Sequence, residues 1–163
     1  RSQFEEVAKQ IPIRDGVIQT VNILRRRGYK VGVVSDSYFV AAEIMRRRIF
    51  ADFALAHTLM FERNICQGNV SINHAFYHGD GCPEHNQCKS NVLRHIIEQE
   101  LALAKNGTVI AVGDNLNDLC LLKLASQAYT IEPKHPNMRQ AGITEISHFD
   151  ELAQQIDTYD PYL

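Results

Sequence analysis

Two aspartates four residues apart, Asp114 and Asp118, follow the apolar run Val109-Ile110-Ala111-Val112-Gly113, and Asn117 stands just before the second. Carboxylate oxygens are the ligands that hard cations such as Mg²⁺ require. In open α/β sheets, ligands bind outside the carboxyl ends of the strands. The run therefore predicts a buried strand that carries acidic groups to a site at its tip. Acidic residues that favour a helix dipole would explain the charges, but not the strand, the glycine and Asn117 together. Two further groups stand in comparable positions. Ser35 follows the apolar stretch Lys30-Val31-Gly32-Val33-Val34, where a hydroxyl and the turn amides behind it suit an anion. An ordinary N-cap role for Ser35 is compatible with that. Lys89 falls in the first turn of an expected helix, where a cation opposes the dipole. A phosphoryl group or a partner carboxylate would justify it.

The elements that must position these groups follow an α/β order. Ser2 to Gln10 reads as a helix with Phe4, Val7, Ala8 and Ile11 on one side, ended by Pro12. Gly16 to Arg27 is a second helix, stopped by Gly28. Tyr29 to Val34 is a buried strand, Ser35-Asp36-Ser37 a turn, and about Tyr38 to Arg48 a helix. Phe53 to Phe61 looks extended, with turn signals at Arg63-Asn64 and Gln67-Gly68-Asn69 and a returning strand over Val70 to Ala75. His78 to Gln87 is a polar loop. A long helix opens at Asn86 or Gln87 and runs to about Ala104, with Val92, Ile96, Ile97, Leu101 and Leu103 buried. After the acidic strand, Thr108 to Val112, come a helix over Asn115 to Leu124, a strand over Ala128 to Ile131, and short helices at Met138 to Ala141 and Glu151 to Ile156. Strand and helix in alternation predict one doubly wound, mainly parallel, Rossmann-like unit.

Composition agrees with a globular domain. The 163 residues are 45% hydrophobic and 22% charged, enough for a real core. A net charge of −2 gives no reason to expect nucleic acid or an anionic membrane surface. Arg25 to Arg27 and Arg46 to Arg48 fall at expected helix ends, where cations complement the dipole. No apolar run approaches the ~20 residues of a bilayer span. Cys66, Cys82, Cys88 and Cys120 are few and irregularly spaced, which suits a reducing cytoplasm better than a disulfide scaffold.

Serine, lysine and paired aspartates on successive α/β elements resemble motifs two, three and four of the haloacid dehalogenase superfamily. The pieces are Val33-Val34-Ser35-Asp36-Ser37, Cys88-Lys89-Ser90 and Gly113-Asp114-Asn115-Leu116-Asn117-Asp118, the last similar to the phosphoserine-phosphatase-like form. Residues 1–12 resemble the end of that branch's helical cap, residues 13–158 its core domain, and 159–163 form a tail. The resemblance implies Mg²⁺-dependent phosphoryl transfer through a phospho-aspartate, most simply hydrolysis of a small phosphomonoester. It implies that Asp114 ligates Mg²⁺ and that Asp118 bonds Lys89, which stabilises charge on the nucleophile and the transferring group. Asn117, Ser35 and the Asp36 amide would hold the phosphate. Asp36 also differs from the glycine usual in phosphoserine phosphatases. Ser-Asp-Ser, with Asn86-Gln87-Cys88-Lys89, looks more like the branch acting on phosphoethanolamine and phosphocholine.

The family's nucleophile, the first aspartate of a DxDx[TV] motif, has no counterpart here. Asp80-Gly81-Cys82 lacks a preceding apolar strand and Asp15-Gly16 opens a helix. In the family that strand lies mid-sheet between the strands of motifs two and four. Without it, buried backbone groups would lose partners at ~1–3 kcal/mol each. The expectation is that a segment preceding Arg1 supplies the central first strand, the attacking aspartate and most of the cap, and that this chain alone is inactive. The other reading is a non-catalytic module that binds a phosphorylated ligand or a protein. His74, His78, Cys82, His85 and Cys88 offer zinc ligand types in one stretch. Their spacing matches no standard finger, and they are read as polar loop residues. Cys120 is read as plain core.

Overall fold

The computed structural model describes residues 1–77, 79–99 and 107–156. The chain divides into two compact units, Arg1–His74 and Ala75–Leu163, each carrying a three-stranded sheet. The architecture is α/β and Rossmann-like, with parallel pairing in both sheets. No helix among the described residues is long and apolar enough to cross a membrane.

In the first unit the order is α1 (Ser2–Gln10), α2 (Val17–Arg26), β1 (Gly32–Tyr38), α3 (Phe39–Arg48), β2 (Phe53–Glu62) and β3 (Ile65–Ser71). Gly28 (φ 84°) ends α2 in a Schellman arrangement: its N–H donates to Arg25 O at 3.1 Å and Tyr29 N–H to Leu24 O at 3.0 Å. β1 and β2 run parallel from Gly32↔Phe53 to Val34↔Leu55, and α3 packs on both. β2 and β3 form a hairpin. Arg63 (φ 47°) and Asn64 (φ 72°) make its two-residue turn, with the left-handed backbone that matches strand twist. Asn64 also ties the turn to α1, accepting from Ser2 N at 3.0 Å and donating to Ser2 Oγ at 2.7 Å. Phe4 of α1 meets the rings of Tyr38 and Phe61 edge-on at 6.0 and 6.4 Å.

In the second unit the order is α4 (Lys89–Gln99), β4 (Ile110–Gly113), a 3₁₀ turn (Leu116–Asp118), α5 (Leu119–Leu124), β5 (Gln127–Ile131), a 3₁₀ turn (Pro136–Met138), β6 (Ile143–Ile146) and α6 (Phe149–Ile156). The three strands are parallel, with Ala111↔Ala128 and Ala128↔Ile143 in register. Ala111, Leu122, Ala128 and Met138 form a buried cluster, against which Leu119, Leu121, Ala125 and Ile143 pack.

Several elements differ from the sequence expectation. β1 begins at Gly32 and runs through Ser35-Asp36-Ser37, where its register to β2 breaks between Val34 and Tyr38. The expected turn is a strand irregularity. β3 occupies Ile65–Ser71 rather than Val70 to Ala75, because Gln67-Gly68-Asn69 is a bulge (Gly68 φ 74°) and not a second turn. α4 starts at Lys89, later than expected, and Leu101 and Leu103 lie outside the described residues. The expected helix over Asn115 to Leu124 is a 3₁₀ turn followed by α5. β6 was not expected; its Thr144 and Glu145 are exposed, so its four residues lack a continuous apolar run. Val7 and Ile11 are exposed, whereas Ala8 is the buried residue of α1.

Glu43 gathers the basic end of α3. Arg46 donates to both its oxygens at 2.7 and 2.8 Å, and Arg47 Nε donates at 2.8 Å. The Arg46 bonds, opposed by partial burial and helped by Arg47, hold the Glu43 carboxyl down at about 2 against an ordinary 4.5. A lowered folded-state value means that the ionised group contributes stability above pH 4.5 and loses it as pH falls toward 2. Glu43→Gln should therefore lower the urea midpoint at pH 7, and the gap from the unsubstituted protein should narrow below pH 4.5. A gap independent of pH would contradict this.

Candidate active site

The geometry at the tip of β4 is set by how closely the chain folds back on itself. An added Cβ at Gly113 would lie 2.4 Å from Asp118 Cβ and 2.8 Å from its Cγ and Oδ2. Glycine is what admits the Asp118 side chain beneath the strand end. Asn115 is extended (φ −141°, ψ 168°) and caps the 3₁₀ turn in a reciprocal capping box with Asp118. Asp118 Oδ2 accepts from the amides of Asp114 and Asn115 at 3.1 and 3.3 Å. Asp118 Oδ1 accepts from Lys89 Nζ at 2.6 Å. Thr130, fully buried on β5, donates from Oγ1 to Gly113 O at 2.9 Å and secures the strand end from the other side.

Lys89 and Asp118 are 7% and 8% exposed. An ammonium in the first turn of α4 opposes the helix dipole. Burial adds a desolvation cost that only a well-bonded partner offsets. The Asp118 carboxylate meets that need, and its other oxygen is held by backbone. Lys89 is thus a positive charge fixed in place, and Asp118 is its anchor.

Asp114 is differently disposed. Its carboxylate is partly exposed, and Oδ2 lies 2.7 Å from Lys134 Nζ. Lys134 N also donates to Asp114 O at 2.8 Å, which ties the segment after β5 to the tip of β4. The sequence reading missed Lys134. The signal was available: adjacent parallel strands bring their carboxyl ends together, so Glu132-Pro133-Lys134 past β5 belongs beside Asp114. Asn117 lies exposed on the 3₁₀ turn.

Ser35 and Asp36 belong to the first unit, at the irregular end of β1. Ser35 Oγ accepts from Ser37 N at 3.1 Å, which leaves the hydroxyl hydrogen as a donor. Ser35 is not the cap of α3: the N-cap position is Tyr38, without a side-chain cap bond. The strand runs four residues further than expected, to Tyr38, before the helix begins.

Cys120 is not plain core. The 3₁₀ turn ahead of α5 shifts the helical phase, so Leu122 takes the buried position and Cys120 is half-buried. Its Sγ lies 3.7 Å from Cys82 Sγ and 3.6 Å from His85 Nδ1. Burial opposes ionisation of Cys82, yet bonds from His85 and nearby backbone lower its thiol to about 6. Burial, with Cys82 alongside, pushes the Cys120 thiol up to about 12. His78 lies outside the described residues.

Lys89→Met and Asp118→Asn should each destabilise the protein by about 3–5 kcal/mol in urea titrations, since each leaves a buried partner uncompensated. The double variant should cost less than the sum of the two. Additive losses would mean that the pair is not energetically coupled. Gly113→Ala should cost about 1–3 kcal/mol through the collision with Asp118. An unchanged melting curve would contradict the close approach.

A family model described as Putative Phosphatase matches residues 1–159. The chain is 25% identical over 142 residues to a phosphoserine phosphatase of Haemophilus influenzae, covering 87% of this chain and 42% of that protein. It is 28% identical over 123 residues to a phosphoserine phosphatase of Methanocaldococcus jannaschii, covering 76% and 53%. The chain thus spans about half or less of the length of these relatives. A crystal structure of a phosphoserine phosphatase in apo form superposes with a TM-score of 0.72 at 26% identity, covering 97% of this chain and 72% of that one. A phospho-aspartyl intermediate analogue of phosphoserine phosphatase gives 0.74 at 25% identity, covering 97% and 69%. With its Rossmann-like α/β fold, the chain belongs to the Putative Phosphatase family, in the phosphoserine-phosphatase-like branch of the haloacid dehalogenase superfamily.

Proposed function

We propose that the complete protein is a Mg²⁺-dependent phosphatase that hydrolyses a small phosphomonoester through a phospho-aspartate. The observation that carries this reading is the buried Lys89–Asp118 pair below the tip of β4, with the Asp114 carboxylate at the surface of the same tip. A fixed ammonium beside an available carboxylate is what phosphoryl transfer asks of a protein: positioning and charge neutralisation.

Asp114 suits Mg²⁺ as one hard oxygen ligand. The ion commonly takes one or two carboxylates, with water and substrate phosphate completing its shell. Lys134, whose side chain is 62% exposed, can leave Asp114 without losing a buried contact. Asp118 suits the ion less well, because it is buried and its oxygens already accept from Lys89 and from two backbone amides. When bound, Mg²⁺ would neutralise charge on the phosphoryl oxygens. Lys89 would stabilise negative charge on the attacking carboxylate and on the transferring group, held there by Asp118. Asn117, the Ser35 hydroxyl and the Asp36 amide would donate to phosphoryl oxygens, roles supported by the family resemblance. The attacking aspartate would come from a segment outside this chain, and these residues alone would not turn over. The free thiols suit work in a reducing cytoplasm.

The absence of a DxDx[TV] motif from these residues favours a second reading, a module that binds a phosphorylated ligand or protein without turnover. Full-length protein separates the two. The enzyme should release p-nitrophenol from its phosphate ester only with Mg²⁺, and Asp114→Asn should lower kcat by about 10²–10³ with the circular dichroism spectrum retained. Full activity in Asp114→Asn would remove that residue from the mechanism. No Mg²⁺-dependent turnover of this ester, phosphoserine, phosphoethanolamine or phosphocholine would favour the module.

A further inference from the structure

We propose that Cys82, His85, Cys88 and Cys120 form a structural Zn²⁺ site that ties the irregular loop before α4 to α5. The four ligand atoms, three Sγ and one imidazole nitrogen, all lie within 4.8 Å of one another. With Zn–S of about 2.3 Å and Zn–N of about 2.0–2.1 Å, a tetrahedral site has S···S edges of about 3.7–3.8 Å and S···N edges of about 3.5–3.6 Å. The observed separations are 3.7 Å for Cys82 Sγ to Cys120 Sγ, 3.4 Å for Cys82 Sγ to His85 Nδ1, and 3.6 Å for Cys120 Sγ to His85 Nδ1. Three edges of the tetrahedron are therefore formed to within about 0.2 Å of those spacings.

The ligand chemistry selects the metal. Three soft sulfurs and an imidazole suit Zn²⁺ and disfavour Mg²⁺, which takes oxygen. Four protein ligands close the coordination shell, as in sites that hold structure. The site is also supported from outside. Ser90 Oγ donates to Cys88 Sγ at 3.2 Å. Buried Asn91 accepts from Cys82 N at 2.8 Å and donates to Phe76 O at 2.8 Å, and Cys88 N donates to the same carbonyl at 3.1 Å. Such outer bonds orient the ligands before a metal arrives.

The local sequence explains why a metal is needed. Gly79-Asp80-Gly81-Cys82-Pro83-Glu84-His85-Asn86-Gln87 forms no regular helix or strand and has few apolar side chains to bury. A metal bond replaces the missing core. Its position matters beyond the loop. Cys88 directly precedes Lys89, and Cys120 stands two residues after Asp118. The ion would cross-link the two backbone segments that carry the buried pair. The inference is independent of the phosphatase reading and holds for a non-catalytic module equally.

The test uses the protein made without a histidine tag, in zinc-supplemented medium. Elemental analysis should find about one zinc per chain, and X-ray absorption at the zinc edge a shell of three sulfurs and one nitrogen. Stripping with a strong chelator should lower the melting temperature, with recovery on adding Zn²⁺ but not Mg²⁺. Cys120→Ser should lose most of the zinc. Because that variant could fail to fold, alkylation of the native protein gives a second readout: exposed Cys66 should react while the other three thiols are protected, and chelation should release them. Zinc below about a tenth of an equivalent after supplementation would overturn the proposal. So would a shell without sulfur, or a mass two hydrogens lighter from a Cys82–Cys120 disulfide.

Discussion

The Asp118 carboxylate is the constraint around which the second unit is arranged. It is buried and ionisable, and it collects three donors: the Lys89 ammonium and the amides of Asp114 and Asn115. Each neighbour can be understood from that demand. Position 113 must be glycine because any Cβ would occupy the carboxylate's space. Asn115 must be extended and act as a cap, so that its own amide turns toward Asp118. Lys89 can sit at a helix start because this carboxylate outweighs an unfavourable dipole.

The same arrangement separates the two acids by task. Both Asp118 oxygens already accept donors from within the protein, whereas Asp114 is partly exposed and engages a lysine that is mostly in solvent. Two chemically identical side chains four residues apart thus become an anchor and an available ligand. Burial makes the difference, because a desolvated carboxylate must be fully bonded within the protein.

Much of the framework was legible in the residue order. Gly28 as a helix stop, Arg63-Asn64 as a turn and the apolar run before Gly113 all rest on local rules of backbone conformation and periodicity. The failures share a physical cause. Gln67-Gly68-Asn69 has turn composition, but β2 was already paired, so the glycine accommodates a bulge within the strand. β6 is four residues long, with two exposed, and owes its place to β5 rather than to its own pattern. Cys120 was misassigned because a helical phase counted from Asn115 ignores the 3₁₀ turn, which changes the rotation per residue.

Local chemistry in the chain was sufficient to mark an α/β protein with acidic groups at a strand tip, a lysine in need of a counter-charge, and a loop rich in soft ligands. These properties belong to neighbours along the backbone, whose geometry is limited by a few allowed dihedrals. Which groups meet was a matter of packing. Lys89 reaches Asp118 across 29 residues, and Cys82 reaches Cys120 across 38. Lys134 finds Asp114 because two parallel strands end side by side. Contacts at such separations depend on sheet order and helix phase, and no window of adjacent residues contains either.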